Sequence, residues 1–264
     1  MNEAALFDKL AADYDSSFTW SITGIHQREQ SRKCLLHFLE AKQNLEILDI
    51  NCGTGVDAIW LSSFGHRVWA TDVSEGMIDK AKRNSFGLEY HLNFSLSSFE
   101  NIGTNFKGQK FDLVFSNFAG LNCLDKSGLQ RLMADLHGML KPGGHVALVV
   151  FGKNCLWEMC YYLLTGKPGL AFRRKTNDGV EVPLTEDVVQ TIYYHPIKTF
   201  RKMKGFKVVE TRPVGLFVPP SYLEGLVKKR PLLFRCLLWM ERKKSFLPLA
   251  SLGDHSFILL KRME

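Results

Sequence analysis

The chain has 264 residues, enough for one large α/β domain or two small ones with a sizeable core. Hydrophobic residues make up 45% and charged residues 23%, which is ordinary globular composition, and no low-complexity run or internal repeat is present. The formal net charge of +7 leaves acidic ligands, nucleic acid and membrane surfaces open as partners. The six cysteines form no Cys-x-x-Cys pair, which argues against a zinc knuckle, and no metal-ligand cluster is evident. No secretory leader is legible, so the thiols are expected to be reduced and the chain cytoplasmic. The most apolar stretch, Pro231 to Met240, is too short to span a bilayer.

Helical spacing of apolar residues predicts helices over 3–13 and about 24–42. A strand–helix alternation follows. Strands are expected at 45–50, 67–71, 88–96, 111–117 and 145–151, and helices at 56–64, 74–83 and 129–140. Ser74 is the expected N-cap of the second of these helices. Lys141-Pro142-Gly143-Gly144 stops the last one. Such alternation implies a parallel sheet covered on both faces. Beyond Phe151 the pattern loosens. Residues 152–195 read as helical pieces and polar turns, 206–212 as a strand, 222–242 as one long cationic helix and 256–261 as a final strand. No linker divides the chain. One domain over 1–264 is expected, with a cofactor-binding core at 45–151 and an acceptor-side insertion and lid at 152–244.

Asp49-Ile50-Asn51-Cys52-Gly53-Thr54-Gly55-Val56-Asp57 sits between the first strand and its helix. Its glycines allow a tight turn and close approach of backbone to a ligand. Asp49, at the strand's end, is placed to meet a cationic group. Asp72, at the end of the second strand, is placed to accept two ribose hydroxyls. The competing reading is a tight turn and a helix cap with no ligand.

Four motifs in order resemble the class I S-adenosylmethionine-dependent methyltransferases, and the match covers about residues 45–151. They are the run 47–57, Ala70-Thr71-Asp72-Val73-Ser74-Glu75-Gly76-Met77, Phe111-Asp112-Leu113-Val114-Phe115-Ser116-Asn117, and Leu140-Lys141-Pro142-Gly143-Gly144. Residues 7–15 also look like the N-terminal helix of small-molecule members. The resemblance implies a Rossmann-like, doubly wound, mostly parallel sheet with an antiparallel last strand, N-terminal helices and a helical insertion or lid in the C-terminal half. The implied cofactor is S-adenosylmethionine. Asp49, Gly53, Thr54 and Gly55 would face its methionine part and Asp72 its ribose. Val73 follows Asp72 in the same site, and Met77 would pack on adenine. Asn117 and Phe118 would lie near the sulfonium, and Tyr14 would close over the amino-acid end. Two positions depart from the family pattern. Asn51 stands where glycine is usual, and Ser97-Ser98-Phe99 stands where an acid often meets the adenine amine.

A sulfonium methyl is already electrophilic, so the protein must mainly place a nucleophile in line and exclude water. His195 and His255 are the candidate general bases, with Tyr193 and Tyr194 as alternatives. Leu156, Trp157, Phe217 and Tyr222 are expected to line the acceptor pocket. The expected partner is a small-molecule acceptor with substantial apolar, even lipid-like, surface. No nucleic acid is expected, because the fourth strand is followed by neither an Asn-Pro-Pro-aromatic run nor a Pro-Cys nucleophile. The readings weighed against this one are a nucleic-acid methyltransferase, an NAD-dependent dehydrogenase built on Gly53-x-Gly55-x-x-Ala58, and a non-catalytic cofactor-binding module. The apolar run 231–240 lies between Lys228-Lys229-Arg230 and Arg242-Lys243-Lys244. It is expected to be a core helix, an amphipathic lid, or a peripheral membrane contact through 222–244.

Overall fold

The structure is a computed structural model that describes residues 3–118, 120–184, 187–243 and 249–264. The chain opens with helix α1 (Glu3–Leu10), a π-helical turn over Asp15–Thr19, and α2 (Ile22–Glu40). Ser21 caps α2 by accepting the Gly24 N–H at 3.0 Å. Then come β1 (Glu46–Ile50), α3 (Val56–Ser62), β2 (Arg67–Asp72), α4 (Glu75–Asn84), β3 (Leu92–Leu96), α5 (Ile102–Asn105), β4 (Phe111–Ser116), α6 (Lys126–Met139) and β5 (Leu140–Phe151). Ser74 caps α4, accepting the Met77 N–H at 3.1 Å. The third strand is shorter than the alternation over 88–96 suggests.

The second half holds α7 (Leu156–Leu164), α8 (Pro168–Ala171), β6 (Val180–Leu184), β7 (Asp187–Thr191), α9 (Pro196–Phe200), β8 (Phe206–Val214), α10 (Glu224–Lys229), α11 (Pro231–Lys243) and β9 (His255–Arg262). Two expectations fail here. β6 and β7 pair antiparallel as a separate two-stranded sheet, with Val182 opposite Val189. The long helix expected over 222–242 is two helices. Arg230, at φ −134° and ψ 63°, breaks it. The ring of Pro231 bars the preceding residue from helical backbone, yet suits Pro231 itself to a first helical position. Lys244, expected in the cationic cluster that follows, lies outside the described residues.

Seven strands make one sheet in the order β3-β2-β1-β4-β5-β9-β8. β1 to β5 are parallel, while β9 runs antiparallel to both β5 and β8. Period-two alternation splits the sheet's apolar residues between two layers. Val146, Leu148 and Val150 pack with α6 through Leu129, Leu132 and Leu136. Ala147 and Val149 face the other way, with Leu35 and Leu39 of α2 and Leu61 of α3. Both faces are therefore covered, and the loops after β1, β2, β3 and β4 gather along one edge. The first half of the chain makes its ligand space there. No helix among the described residues is long and apolar enough to cross a membrane.

Candidate active site

A cavity of about 590 Å³ opens along that edge, within the size range of small-molecule sites. Asn51, Gly53, Asp72, Val73, Met77, Ser97, Ser98, Phe99, Asn117 and Phe118 line it, with Tyr14 on its N-terminal side. A smaller recess of about 30 Å³ shares Tyr14, Asn51, Gly53, Asn117 and Phe118 with it, and adds Asp49, Thr54 and Arg28. Residues from six separate segments thus face the cavity and its recess.

The two loop glycines differ in role. Gly53 has φ +55°, and a Cβ there would meet nothing within 4 Å, so the backbone lies open to a ligand. Gly55, at φ +79°, lines neither cavity. A Cβ on it would come within 2.8 Å of the Ala81 Cβ and 3.0 Å of the Phe94 ring. It permits α3 and α4 to pack against the sheet, so a valine there would act through folding, not by filling ligand space. Asn51, where the family pattern has glycine, adopts φ +54°. Asparagine tolerates that region. Its amide donates to the Asn117 carbonyl at 2.9 Å and its side-chain carbonyl accepts the Ser116 hydroxyl, tying the β1 loop to the end of β4.

The two acids of the motif are in different states. Asp72 accepts the Gly53 N–H at 2.8 Å and the Ser74 N–H at 3.0 Å. Asp72 lines the large cavity, and each carboxylate oxygen can accept more than one hydrogen bond. Burial raises its pKa against those hydrogen bonds. Asp49 is almost fully buried, and its Oδ2 has no hydrogen-bond partner. Burial, reinforced by the nearby Asp57 charge, pushes its pKa well up. A buried carboxylate without a partner is costly unless a cation arrives to meet it.

Arg28 is the residue that sequence reasoning missed. It lines the recess and bonds to Asp57, which Arg32 also contacts at 2.7 Å. Burial works upward on Asp57, but the two guanidiniums and the Asn117 amide outweigh it and hold its pKa low. Arg28 also lies 4.6 Å from the Phe118 ring centre. Phe118 itself sits at φ +52°, its N–H held by the Asn117 side-chain oxygen at 3.0 Å. A bulky side chain in that region is strained, which the surroundings must over-determine. Glu100 and Asp125 also line the large cavity. Glu100 directly follows 97–99, whereas the Asp125 carboxylate caps α6 by accepting the Gly128 N–H at 2.6 Å. Thr54 spends its hydroxyl on Asp15 at 2.6 Å, joining the glycine loop to the N-terminal π-turn.

His195 and His255 line neither cavity. His195 caps α9, its Nδ1 accepting the Lys198 N–H at 3.3 Å. His255 is buried, its ring stacked 4.3 Å from Phe151 and edge-on to Phe118 at 5.5 Å. Burial lowers its pKa to about 4, so it is a neutral ring supporting Phe118 from behind. Tyr194 gives its hydroxyl to the Leu121 carbonyl at 3.0 Å, and Tyr193 is buried against Arg174. Leu156, Trp157, Phe217 and Tyr222 also line neither space. Tyr222 instead bonds Glu158 at 3.2 Å. Among the described residues no group of three or more His, Cys, Asp or Glu could hold a metal ion.

Residues 47–144 match the sequence profile of a family described as a methyltransferase domain. The chain is 29% identical over 151 residues to malonyl-acyl-carrier protein O-methyltransferase 1 of Ilyobacter polytropus, which covers 56% of this chain and 54% of that protein. It thus spans about half the length of that relative. It is 26% identical over 189 residues to the demethylmenaquinone methyltransferase of Streptomyces griseus, covering 70% and 77% of the two. The solved complex of DhpI with SAH superposes with a TM-score of 0.61 at 14% identity, covering 99% of this chain and 96% of that one, a likeness of fold. The profile takes in Asp49, Gly53, Asp72 and Asn117, which line the strand-end cavity and its recess. Residues 47–144 therefore carry a methyltransferase domain similar to those of the class I S-adenosylmethionine-dependent methyltransferases.

Proposed function

We propose that this chain, acting in the cytoplasm, transfers the methyl group of S-adenosylmethionine to a small-molecule acceptor of apolar, lipid-like character. The observation that carries this reading is the buried, unpartnered oxygen of Asp49 beside Arg28 in one recess. A carboxylate and a guanidinium there suit a ligand end bearing both an ammonium and a carboxylate. Asp49 would hold the first and Arg28 the second. Asp72 would accept the ribose hydroxyls. Val73, Met77 and Phe99 would flank the base, with Ser97, Ser98 and Glu100 at its polar edge. Thr54 and Gly53 would approach through backbone, while Tyr14, Asn51, Asn117 and Phe118 enclose the middle of the ligand.

The bound cofactor supplies an electrophilic methyl group. The chain's part is to orient that group and keep water away. Phe118, set between Arg28 and His255, provides a rigid wall for this, and His255 is a positioning residue. Residues 45–151, with Tyr14 and Arg28, would hold the cofactor, and 152–244 would shape the acceptor side. The β6–β7 pair supports that division. Its Leu184 and Val189 pack on the cluster of Leu6, Leu10 and Met77, and Asp187 pairs with Lys9 at 3.1 Å. The two relatives' names, an acyl-carrier substrate and a quinone, support an apolar acceptor. A peripheral membrane contact through 222–244 belongs to the same reading.

Calorimetric titration with S-adenosylmethionine and with NAD tests the cofactor. Asp49→Asn tests the observation itself. It should weaken S-adenosylmethionine binding by about tenfold or more, the worth of one charge-assisted bond. It should also raise the melting temperature of the ligand-free chain, because a costly buried charge is gone. Binding of NAD alone, or an Asp49→Asn chain that binds as the parent does, would overturn the proposal.

A further inference from the structure

We infer that the outward face of α11 is a docking surface for an anionic lipid bilayer. The inference rests on the lipid-like acceptor proposed above and adds the surface from which such an acceptor would be drawn. α11 buries one stripe. Phe234 and Leu238 pack with Val218, Val227 and Ile22, and the Glu241 carboxylate turns inward to accept N–H groups of Gly215, at 3.0 Å, and Phe217, at 2.6 Å. The opposite stripe follows helical spacing through Leu232, Arg235, Trp239, Arg242 and Lys243, with Leu233 beside it. Leu232 is 77% exposed and Trp239 62% exposed, values that place both side chains in water in the isolated chain.

Charge selects the occupant. The two acids of α10 and α11 both face the protein: Glu224 takes the Ile22 N–H and Lys228, and Glu241 takes the loop amides. Among the described residues, the outer face of α11 therefore presents cations around an apolar centre and no exposed acid. Tryptophan and leucine between arginines and lysine match the interfacial depth of a bilayer, while the cations match anionic headgroups. Long cationic side chains can extend their heads outward as their stems cover apolar surface. The position also fits. His26 of α2 packs on Phe234 at 5.5 Å between ring centres, and α2 directly follows the π-helical turn that begins next to Tyr14. Tyr14 lines both cavities. The face is thus joined through one helix to the segment at the cavity wall.

Co-sedimentation of the full chain with phosphatidylcholine vesicles, and with vesicles half phosphatidylglycerol, tests this. Binding should favour the anionic vesicles and weaken with salt. Each cation near such a surface is worth roughly fivefold in affinity, so Arg235→Gln, Arg242→Gln and Lys243→Gln together should lower it about a hundredfold. Leu232→Ser with Trp239→Ser should also release the chain. These sites are exposed, so both variants should keep the parent's melting temperature and S-adenosylmethionine affinity, which separates this surface from the cofactor site. No binding to anionic vesicles, equal binding to both lipids, or binding untouched by either variant would overturn the inference. So would binding to soluble polyglutamate in place of vesicles, which would assign the face to an acidic protein. A parent that binds the vesicles but not S-adenosylmethionine would leave the surface standing and remove the proposed function.

Discussion

The two halves of this molecule treat buried charge in opposite ways. In the first half, Asp49 is buried with an oxygen that has no hydrogen-bond partner, and Asp72 lines a cavity. In the second half, the buried charges consume one another. Glu158 bonds Arg173 and Arg174, both at 2.6 Å, and Arg174 bonds Asp254 at 2.8 Å. Asp254 also takes the Gln27 amide at 3.2 Å and lies beside His255. Both regions hold carboxylates and arginines near the same edge of the sheet. Among the described residues, only the first leaves a buried carboxylate oxygen unpartnered beside open space. Buried charge alone is therefore a poor marker of a site, and an unfilled hydrogen-bond inventory beside open space is a better one.

The strongest test of this contrast is Glu158→Ala. It strands Arg173 and takes one of two carboxylate partners from the buried Arg174, and should cost about 3–5 kcal/mol in urea unfolding while the folded fraction still binds S-adenosylmethionine normally. Lost cofactor binding with unchanged stability would reverse the assignment of the two halves. Asp72→Ala should do the opposite. Each charge-assisted bond lost is worth about 1.5–3 kcal/mol, so affinity should fall by roughly 10- to 150-fold per bond while the chain stays folded.

Next in size is the response to pH. His255 has a folded pKa near 4 against about 6.5 when unfolded, so the unfolded chain takes up a proton that the folded chain refuses. Its contribution is complete above pH 6.5 and is lost as pH falls toward 4. Stability should drop by about 2 kcal/mol between pH 7 and 5 from this group. His145, also lowered to about 4, adds to the same window. His255→Gln should remove its share of the slope and, through Phe118, lower turnover more than cofactor affinity. The smallest effect belongs to His195→Ala. Loss of a helix cap should cost about 1 kcal/mol and leave turnover unchanged. A large fall in turnover would return His195 to the chemistry.

What was legible in the chain was the local part. Asp49, Gly53 and Asp72 lie within a few residues of strand ends, and turn chemistry announces them. Arg28 was not legible, because on α2 it looks like any cation on a helix, and only the packing of α2 brings it to the recess. Glu100 lies one residue beyond the span 97–99 in which an acid was sought. The β6–β7 pair was missed because Pro183 interrupts its alternation, and it is a separate two-stranded sheet that the core pattern does not require. The break at Arg230 was written in Pro231, but apolar spacing that continues past it outweighed the backbone rule.

The sequence by itself determined the alternation of strands and helices through β5, the glycine turn after β1 and the acids at the ends of β1 and β2. These depend on hydrophobic period and backbone freedom, which act over a few residues. Only the tertiary structure decided which polar groups were already partnered. Asp49 and Asp254 are both buried aspartates at one end of a strand, yet Arg174 and Gln27 reach Asp254, while nothing reaches the second oxygen of Asp49. Hydrogen-bond geometry acts over about 3 Å, and long-range packing alone sets which side chains come that close.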